Sequence, residues 1–509
     1  MKGQYYDIVD ISDIDMLKTQ LKQIFVVIDE TEASTAFQVL DTFDWRLFLK
    51  GWQLIKVGRH LEITESGTEM MIGNSAVQND KPKKFWWDFH DSAFSNLLQP
   101  VLKMRALLPI AEIVKKTIQL NLCNKDEKIV VRLHIESFSN ANGENALFRC
   151  RTIPVRGYQK EYKQVRSSIE ALAFPVAKTS PVFRLIERSG VKPGGYSSKI
   201  NLSLAPALPA AEAVRRIMQT LVEVIHLNLP GVREDIDSEF LHDFRVSVRR
   251  SRSLLSQLKG VLDADTTALL QTHLKSMGAM TGDVRDLDVY LLKESDFISR
   301  IPEVLRPGLV PFFQTLKRRR RYAKDRMIKA MDGEEFAFAM KSLDDFIQSD
   351  PMKTADAPNS TKPILEIAKS VIYKRYRRIV KKGRKIKQTT PDEKLHALRI
   401  DCKKLRYLLE FFTSLFPENE MKKLVKQLKE LQENLGDFND LSVQQKFLAN
   451  HLGQLTQQTK QVVILSAAIG GLIARLDTAH KNVRSQFLTV FESFNSPDTQ
   501  KRFRTLFDE

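Results

Sequence analysis

Two sets of basic side chains recur at helical spacing: His242, Arg245, Arg249 and Arg252, then His396, Arg399, Lys403 and Arg406. At about 100° per residue each set falls on a stripe roughly 80° wide. Phe244, Val248, Leu255 and Leu258 fall on another side of the first helix, and Leu398, Cys402, Leu405, Leu409 and Phe412 do so in the second. Each helix therefore has an apolar face for a bundle and, beside it, a row of donors on the order of 15 Å long. Arginine offers phosphate a rigid fork of N–H groups and lysine a compact point charge, so the chemistry expected is the holding of a multiply charged anion. The alternative is an ordinary wetted cationic face. Like charges three and four apart repel by about a few tenths of a kcal/mol per pair, which weighs against keeping four of them twice without an anion. The leading histidines can add charge near neutral pH. Only Asp243 and Asp401 lie near the stripes as metal ligands, and their cationic neighbours oppose a cation. No metal, cofactor or catalytic residue is expected.

The two stripes belong to a duplication. Sliding the chain by 154 residues superposes Leu241–Leu258 on Leu395–Phe412 (241 to 395) and Leu274–Val289 on Leu428–Val443 (274 to 428). One offset for both blocks marks a repeated unit. The basic pair Arg249–Arg250 becomes Lys403–Lys404. In the second block Gly282-Asp283 with Asp286 returns as Gly436-Asp437 with Asp440. There the glycine is expected to interrupt a helix, and Asp283 or Asp437 to cap it or to pair with arginines of the stripe.

Apolar residues recur three and four apart after residue 210, as in Val214, Ile217, Met218, Leu221, Val224 and Ile225, and again at Ile364, Ile367, Val371, Ile372 and Ile379. An all-α, duplicated helical bundle with a pseudo-two-fold is expected over 210–505, with repeats at about 210–350 and 364–505. Connectors are expected at Pro230-Gly231, Pro302 to Pro311 and Asp350 to Pro363. Residues 1–189 read as an α+β domain, with strands at Ile24–Ile28, Trp52–Val57, Phe85–Phe89, Thr117–Leu122 and Ile129–Ile135 and a helix over Phe94–Leu107. The segment 190–209, rich in Gly, Pro and Ser, is read as the linker.

The 509 residues carry 79 Lys+Arg against 62 Asp+Glu, a formal net charge of +17. From Lys369 to Lys387 basic residues come without an acid, and Lys317–Arg321 reads KRRRR. Concentrated positive charge points to a polyanionic partner. The three cysteines are far apart and form no CxxC, which excludes a disulfide framework and a thiolate zinc site. The longest apolar run, Val462 to Ala474, is short of the ~20 residues of a membrane span. The first thirty residues carry acids and no basic-then-apolar leader pattern, so a cytoplasmic, reducing compartment is expected.

HxxRVxxRRxRSLL and HxxRIxxKKLRYLL, each followed by GDxxDLxV, resemble the two halves of a CHAD domain, the conserved histidine α-helical domain, over roughly 205–505. The resemblance implies two pseudo-symmetric bundles around a basic surface, binding of inorganic polyphosphate, and association with polyphosphate granules in some members. It places the family's His and basic positions on His242, Arg245, Arg249, Arg250 and Arg252, then on His396, Arg399, Lys403, Lys404 and Arg406. Leu40–Val57, with Asp41, Thr42, Leu47 and Gly51 in register, is similar to part of a CYTH domain, a triphosphate-handling β-tunnel, and Pro193–Lys199 to the segment that links the two in fusions. The catalytic features are missing. No ExExK strand appears near the N-terminus, Ile55 and Val57 stand where arginines are expected, and Phe148–Val155 is basic where acids would hold Mg²⁺.

A non-enzymatic polyphosphate-binding protein is therefore expected, with Lys374, Arg375, Arg378 and Lys382, and with less weight Arg318–Arg321, assisting the stripes. A divergent metal-dependent triphosphatase is the first alternative. A nucleic-acid binder is the second, disfavoured by sparse aromatic interleaving along the stripes.

Overall fold

The computed structural model describes residues 4–67, 69–76, 84–144, 146–177, 179–350, 357–455 and 459–508. The chain divides into two compact units, Met1–Ser197 and Ser198–Glu509, the division falling inside the 190–209 segment.

In the first unit eight strands form one antiparallel sheet. They are β1 (Gln4–Ile8), β2 (Val26–Thr42), β3 (Trp52–Val57), β4 (His60–Glu65), β5 (Met71–Ala76), β6 (Leu107–Cys123), β7 (Ile129–Asn140) and β8 (Leu147–Pro154), in spatial order β1-β8-β7-β6-β2-β3-β4-β5. Among the described residues β1 and β5 are its two ends and do not pair with each other. Side chains alternate across a strand. Val131, Leu133 and Ile135 of β7 accordingly pack on one face with Leu120, Leu122 and Cys150, beneath helices α1 (Ile11–Lys22) and α4 (Gln159–Ala171). On the other face Phe37, Val39, Ile113, Phe138 and Leu147 meet α5 (Pro181–Arg188). Toward the β5 end Leu54, Leu61 and Ile63, which alternate away from Val39 and its partner Ile55, meet α2 (Arg46–Leu49) and α3 (Ser92–Leu102). Each such side chain contributes about 1.5–3 kcal/mol by leaving water.

Several strands are longer than expected: Thr117–Leu122 is the end of the 17-residue β6, and only Val26–Ile28 of the expected Ile24–Ile28 is strand. Phe85–Phe89 is not a strand. Trp86–Asp88 is a single 3₁₀ turn, because the Asp88 carboxylate accepts the amides of Lys84 and Phe85 and closes the chain on itself. The expected helix Phe94–Leu107 stops at Leu102, where Lys103 takes a positive φ of 52°.

Between the apolar positions, the second face also carries charge. Glu136 and Arg149, directly paired across β7 and β8, are both almost fully buried and bonded at 2.5 Å. Lys115 of β6 reaches Glu136 at 2.5 Å, Arg149 also meets Glu69 at 2.5 Å, and the Tyr5 hydroxyl donates to Glu69 at 2.9 Å.

The second unit is helical throughout the described residues: α6 (Ala210–Arg233), α7 (Ser238–Gln257), α8 (Ala264–Met280), α9 (Gly282–Leu292), α10 (Glu294–Ser299), α11 (Val310–Met331), α12 (Glu334–Gln348), α13 (Ile364–Gly383), α14 (Asp392–Phe411), α15 (Glu418–Gly453), α16 (Lys460–Phe494) and α17 (Pro497–Phe507). α13 begins 154 residues after α6 (210 to 364), and α14 begins 154 after α7 (238 to 392). The copies are tied by a reciprocal pair of backbone bonds, Ala210 N–H to the Lys362 carbonyl and Ile364 N–H to the Leu208 carbonyl.

Pro230-Gly231 is not a connector, since α6 continues to Arg233. Gly231 lets the Phe240 ring lie against that last turn; a Cβ there would sit 2.3 Å from the ring. The expected connector at Pro302–Pro311 holds a 3₁₀ turn, Glu303–Leu309, and the start of α11. Residues 351–356 of the connector expected at 350–363 lie outside the described residues.

The second block differs between copies. The helix breaks at Thr281 between α8 and α9, whereas α15 runs unbroken through the equivalent Gly436 for 36 residues, about 54 Å. At the break the Thr281 hydroxyl donates to the Met277 carbonyl, and Arg245 donates to the Gly278 carbonyl at 2.8 Å and to the Thr281 hydroxyl at 2.6 Å. These side chains compete with the helix's own ladder. Among the described residues α16 is the one helix long and apolar enough to match a membrane span, because Arg475 interrupts its apolar run without ending its helix. Leu465, Ala468, Ile469, Leu472 and Leu476 are buried within the unit, while Val463 and Ile464 are exposed.

Candidate anion-binding site

α7 and α14 bury the apolar faces expected of them: Phe244, Val248 and Leu255 in one, Leu398, Cys402, Leu405 and Leu409 in the other. Side-chain bonds join the two helices. Arg249 Nε donates to the Tyr407 hydroxyl at 2.8 Å, Gln257 Nε2 to the Lys404 carbonyl at 3.1 Å, and Arg250 Nη2 to Glu410 at 2.9 Å.

Two cavities open beside this junction. The first, about 650 Å³, is lined by Arg249 and Arg252 of α7, Lys275 of α8, and Arg399, Lys403 and Lys404 of α14. Ser253, Ser256, Gln271, Thr272 and Tyr407 add neutral donors, and no carboxylate of the described residues lines it. Among the described residues the side chains of Arg252, Lys275, Lys403 and Lys404 have no ion pair or hydrogen bond. Burial, then the nearby Arg399 and Arg249, push the Lys403 ammonium down to about 8, with Asp440 opposing. Burial and Arg375 lower Lys404 as well. These are cations held where their charge is costly.

The second cavity, about 920 Å³, shares Arg249 and Lys403 with the first, and these two are equivalent positions of the repeat. It adds His242, Arg245, Arg285, Arg319 and Arg326, but also Asp283, Asp286 and Asp440, the rings of Tyr290, Tyr322 and Phe447, and the amides of Asn439, Gln444 and Asn450.

The other expected residues are placed elsewhere. Arg250 is buried and spans Ser198 O and Glu410, and Arg406 bonds Glu410 at 2.7 Å; neither lines either of these two cavities. Arg245 and Arg399, alike in the repeat, are lowered mainly by burial and opposed by Asp286 and Asp440 respectively. The acid that meets the stripe is thus the second of each pair: Asp440 lies 3.4 Å from Arg399, while Asp283 pairs with Arg326 at 2.9 Å. The histidines differ in role. Arg285 can only donate, so His242 Nδ1 accepts from it at 2.9 Å; His396, exposed and outside both cavities, donates through Nδ1 to Asn439 at 2.6 Å.

Lys374 is exposed and lines neither cavity. Arg375, Arg378 and Lys382 converge on the buried Asp401 at 2.7, 3.2 and 2.6 Å, so the structure brings them to one carboxylate and not to a cavity. Arg320 is likewise held by Asp235 and Asp288; of the run Arg318–Arg321, Arg319 alone lines either of these two cavities. Sequence reasoning missed Lys275, Arg285 and Arg326. Lys275 had a signal, since Leu274-Lys275 is repeated as Leu428-Lys429. The described residues contain no cluster of three His, Cys, Asp or Glu arranged for a metal.

Residues 216–449 match the family model of the CHAD domain. Two uncharacterized proteins of Mycobacterium tuberculosis, MT2285 of strain CDC 1551 / Oshkosh and Rv2226 of strain H37Rv, are each 26% identical over 310 residues, 55% of this chain and 57% of theirs. The chain thus matches less than two thirds of the length of these curated relatives. Among solved structures, the crystal structure of the CHAD domain from the plant Ricinus communis is 23% identical with a TM-score of 0.48, covering 58% of this chain and 95% of that one. PptA from Streptomyces chartreusis is 15% identical with a TM-score of 0.45, covering 56% and 100%.

Proposed function

From the premise that the helical unit carries a CHAD domain, we propose that this protein binds inorganic polyphosphate without transforming it. One observation carries the reading: among the described residues the first cavity gathers six cations from three helices, has no carboxylate on its wall, and leaves the side chains of Arg252, Lys275, Lys403 and Lys404 without an ion pair or hydrogen bond. A flexible polyanion supplies the missing counter-charge along a line of donors. Displacing several counterions at once makes affinity fall steeply with salt.

The pseudo-two-fold between copies belongs to the same reading, supported by the reciprocal bonds at Ala210 and Ile364 and by Arg249 and Lys403 sharing both cavities. For the first unit the reading is a degenerate CYTH-like tunnel without triphosphatase activity. Its support is that Glu136 and Glu69 hold Lys115 and Arg149, which leaves those carboxylates engaged by cations of the sheet itself.

The test is titration of long-chain polyphosphate onto wild type and onto Arg252→Glu/Lys403→Glu, at low and moderate salt, with DNA as competitor. Neither side chain has a structural partner, so the double variant should fold. The expected outcome is salt-sensitive binding weakened by on the order of a hundredfold or more, with Lys374→Glu close to wild type. A folded double variant that binds like wild type would sink the site. Phosphate release from triphosphate with Mg²⁺ would overturn the non-enzymatic part.

A further inference from the structure

The two cavities share a wall but differ in chemistry. Everything charged in the first is cationic. The second places three carboxylates among its cations, which makes it a poor place for a bare phosphate chain, and it supplies what such a chain has no use for: rings and amides. Tyr322 lines it with most of its surface exposed, and Tyr290 stacks on Phe447 at 4.1 Å in its wall. Asn439 and Asn450 offer amide groups, and Asp286 and Asp440 offer acceptors to an exocyclic amine. Flat, hydrogen-bonding heterocycles are held by such sets, through stacking and edge contacts.

We propose that the two cavities together take a nucleoside oligophosphate, its phosphates in the first cavity and across Arg249 and Lys403, its base in the second against Tyr322. The inference rests on the anion-binding reading of the first cavity and names a second ligand class for it. A base that gains a stacking partner and an edge contact binds about tenfold tighter than the same phosphates alone.

Calorimetric titrations of ATP, GTP and inorganic triphosphate, without divalent metal and at fixed salt, test it on wild type, Tyr322→Ala and Arg252→Glu/Lys403→Glu, with long-chain polyphosphate in parallel. The expected result is a nucleotide bound about tenfold tighter than triphosphate. Tyr322→Ala should bring it to the level of triphosphate while leaving triphosphate unchanged, and the charge-reversed variant should lose both. Nucleotides bound no tighter than triphosphate, or a Tyr322→Ala variant that weakens both equally, would overturn the proposal. If polyphosphate and triphosphate bind and nucleotides gain nothing, only this inference fails. If neither inorganic chain binds the wild type, the reading beneath it fails as well.

Discussion

The sheet unit and the helical unit both bury positive charge, and they settle it in opposite ways. Across β6, β7 and β8, Lys115 and Arg149 meet Glu136, and Arg149 meets Glu69 too, so the cluster neutralises itself. At the junction of α7 and α14, Lys403 and Lys404 are held partly out of water beside Arg249, Arg252 and Arg399, with no carboxylate on the cavity wall. The contrast extends inside the helical unit, where Arg375, Arg378 and Lys382 share Asp401. The lesson is that density of basic residues does not mark a site. In the binding proposed for the helical unit, the mark is a set of cations without an internal counter-charge.

The sharpest way to break the comparison is to unbalance the sheet. Glu136→Ala should cost about 3 kcal/mol, because the buried Arg149 loses one of its two carboxylates and the half-buried Lys115 loses its own; denaturant unfolding monitored on the sheet unit checks it, and a loss below about 1 kcal/mol would mean the cluster is not self-neutralising. Next, Asp401→Asn frees three cations of α13. Polyphosphate should then bind about tenfold tighter at low salt, with the gain shrinking as salt rises. An unchanged affinity would show that those cations cannot serve an external anion even when released. The smallest effect is the pH response of Lys403. With its ammonium near 8, polyphosphate affinity should fall severalfold between pH 7 and 9 as that charge is lost, and Lys403→Arg should flatten the profile. Stability moves the other way. The unfolded chain, with an ordinary lysine near 10.5, binds more protons than the folded one between about 8 and 10.5, so folding is favoured as pH rises through that window.

Much of the helical unit was legible because 3.6-residue periodicity is local. The offset of 154 and the buried faces of α7 and α14 follow from it; the meeting of Arg249 and Arg252 with Arg399, Lys403 and Lys404 in one cavity does not. What could not be read was pairing between distant elements. Asp401, weighed only as a metal ligand, is the acid that occupies the α13 run, and Glu410 occupies Arg250 and Arg406. Nothing in the spacing of a basic run tells which acid of another helix will face it. The sheet was legible in pieces, since strands as long as β2 and β6 change environment along their length and lose a single alternation. At Phe85–Phe89 aromatic content suggested a strand, and one carboxylate, Asp88, decided otherwise.

The break at Thr281 gives the duplicated unit a direction. In copy one Arg245 is bonded to the broken turn, and in copy two Arg399 reaches Asp440 beside an unbroken rod. Arg249 and Lys403 stand between a wall of cations alone and a wall of mixed charge. A linear phosphate reads the same from either end, but these surroundings do not. An anion bound across the pair, as proposed above, would meet different groups at its two ends, so the two sequence repeats would not be interchangeable to it.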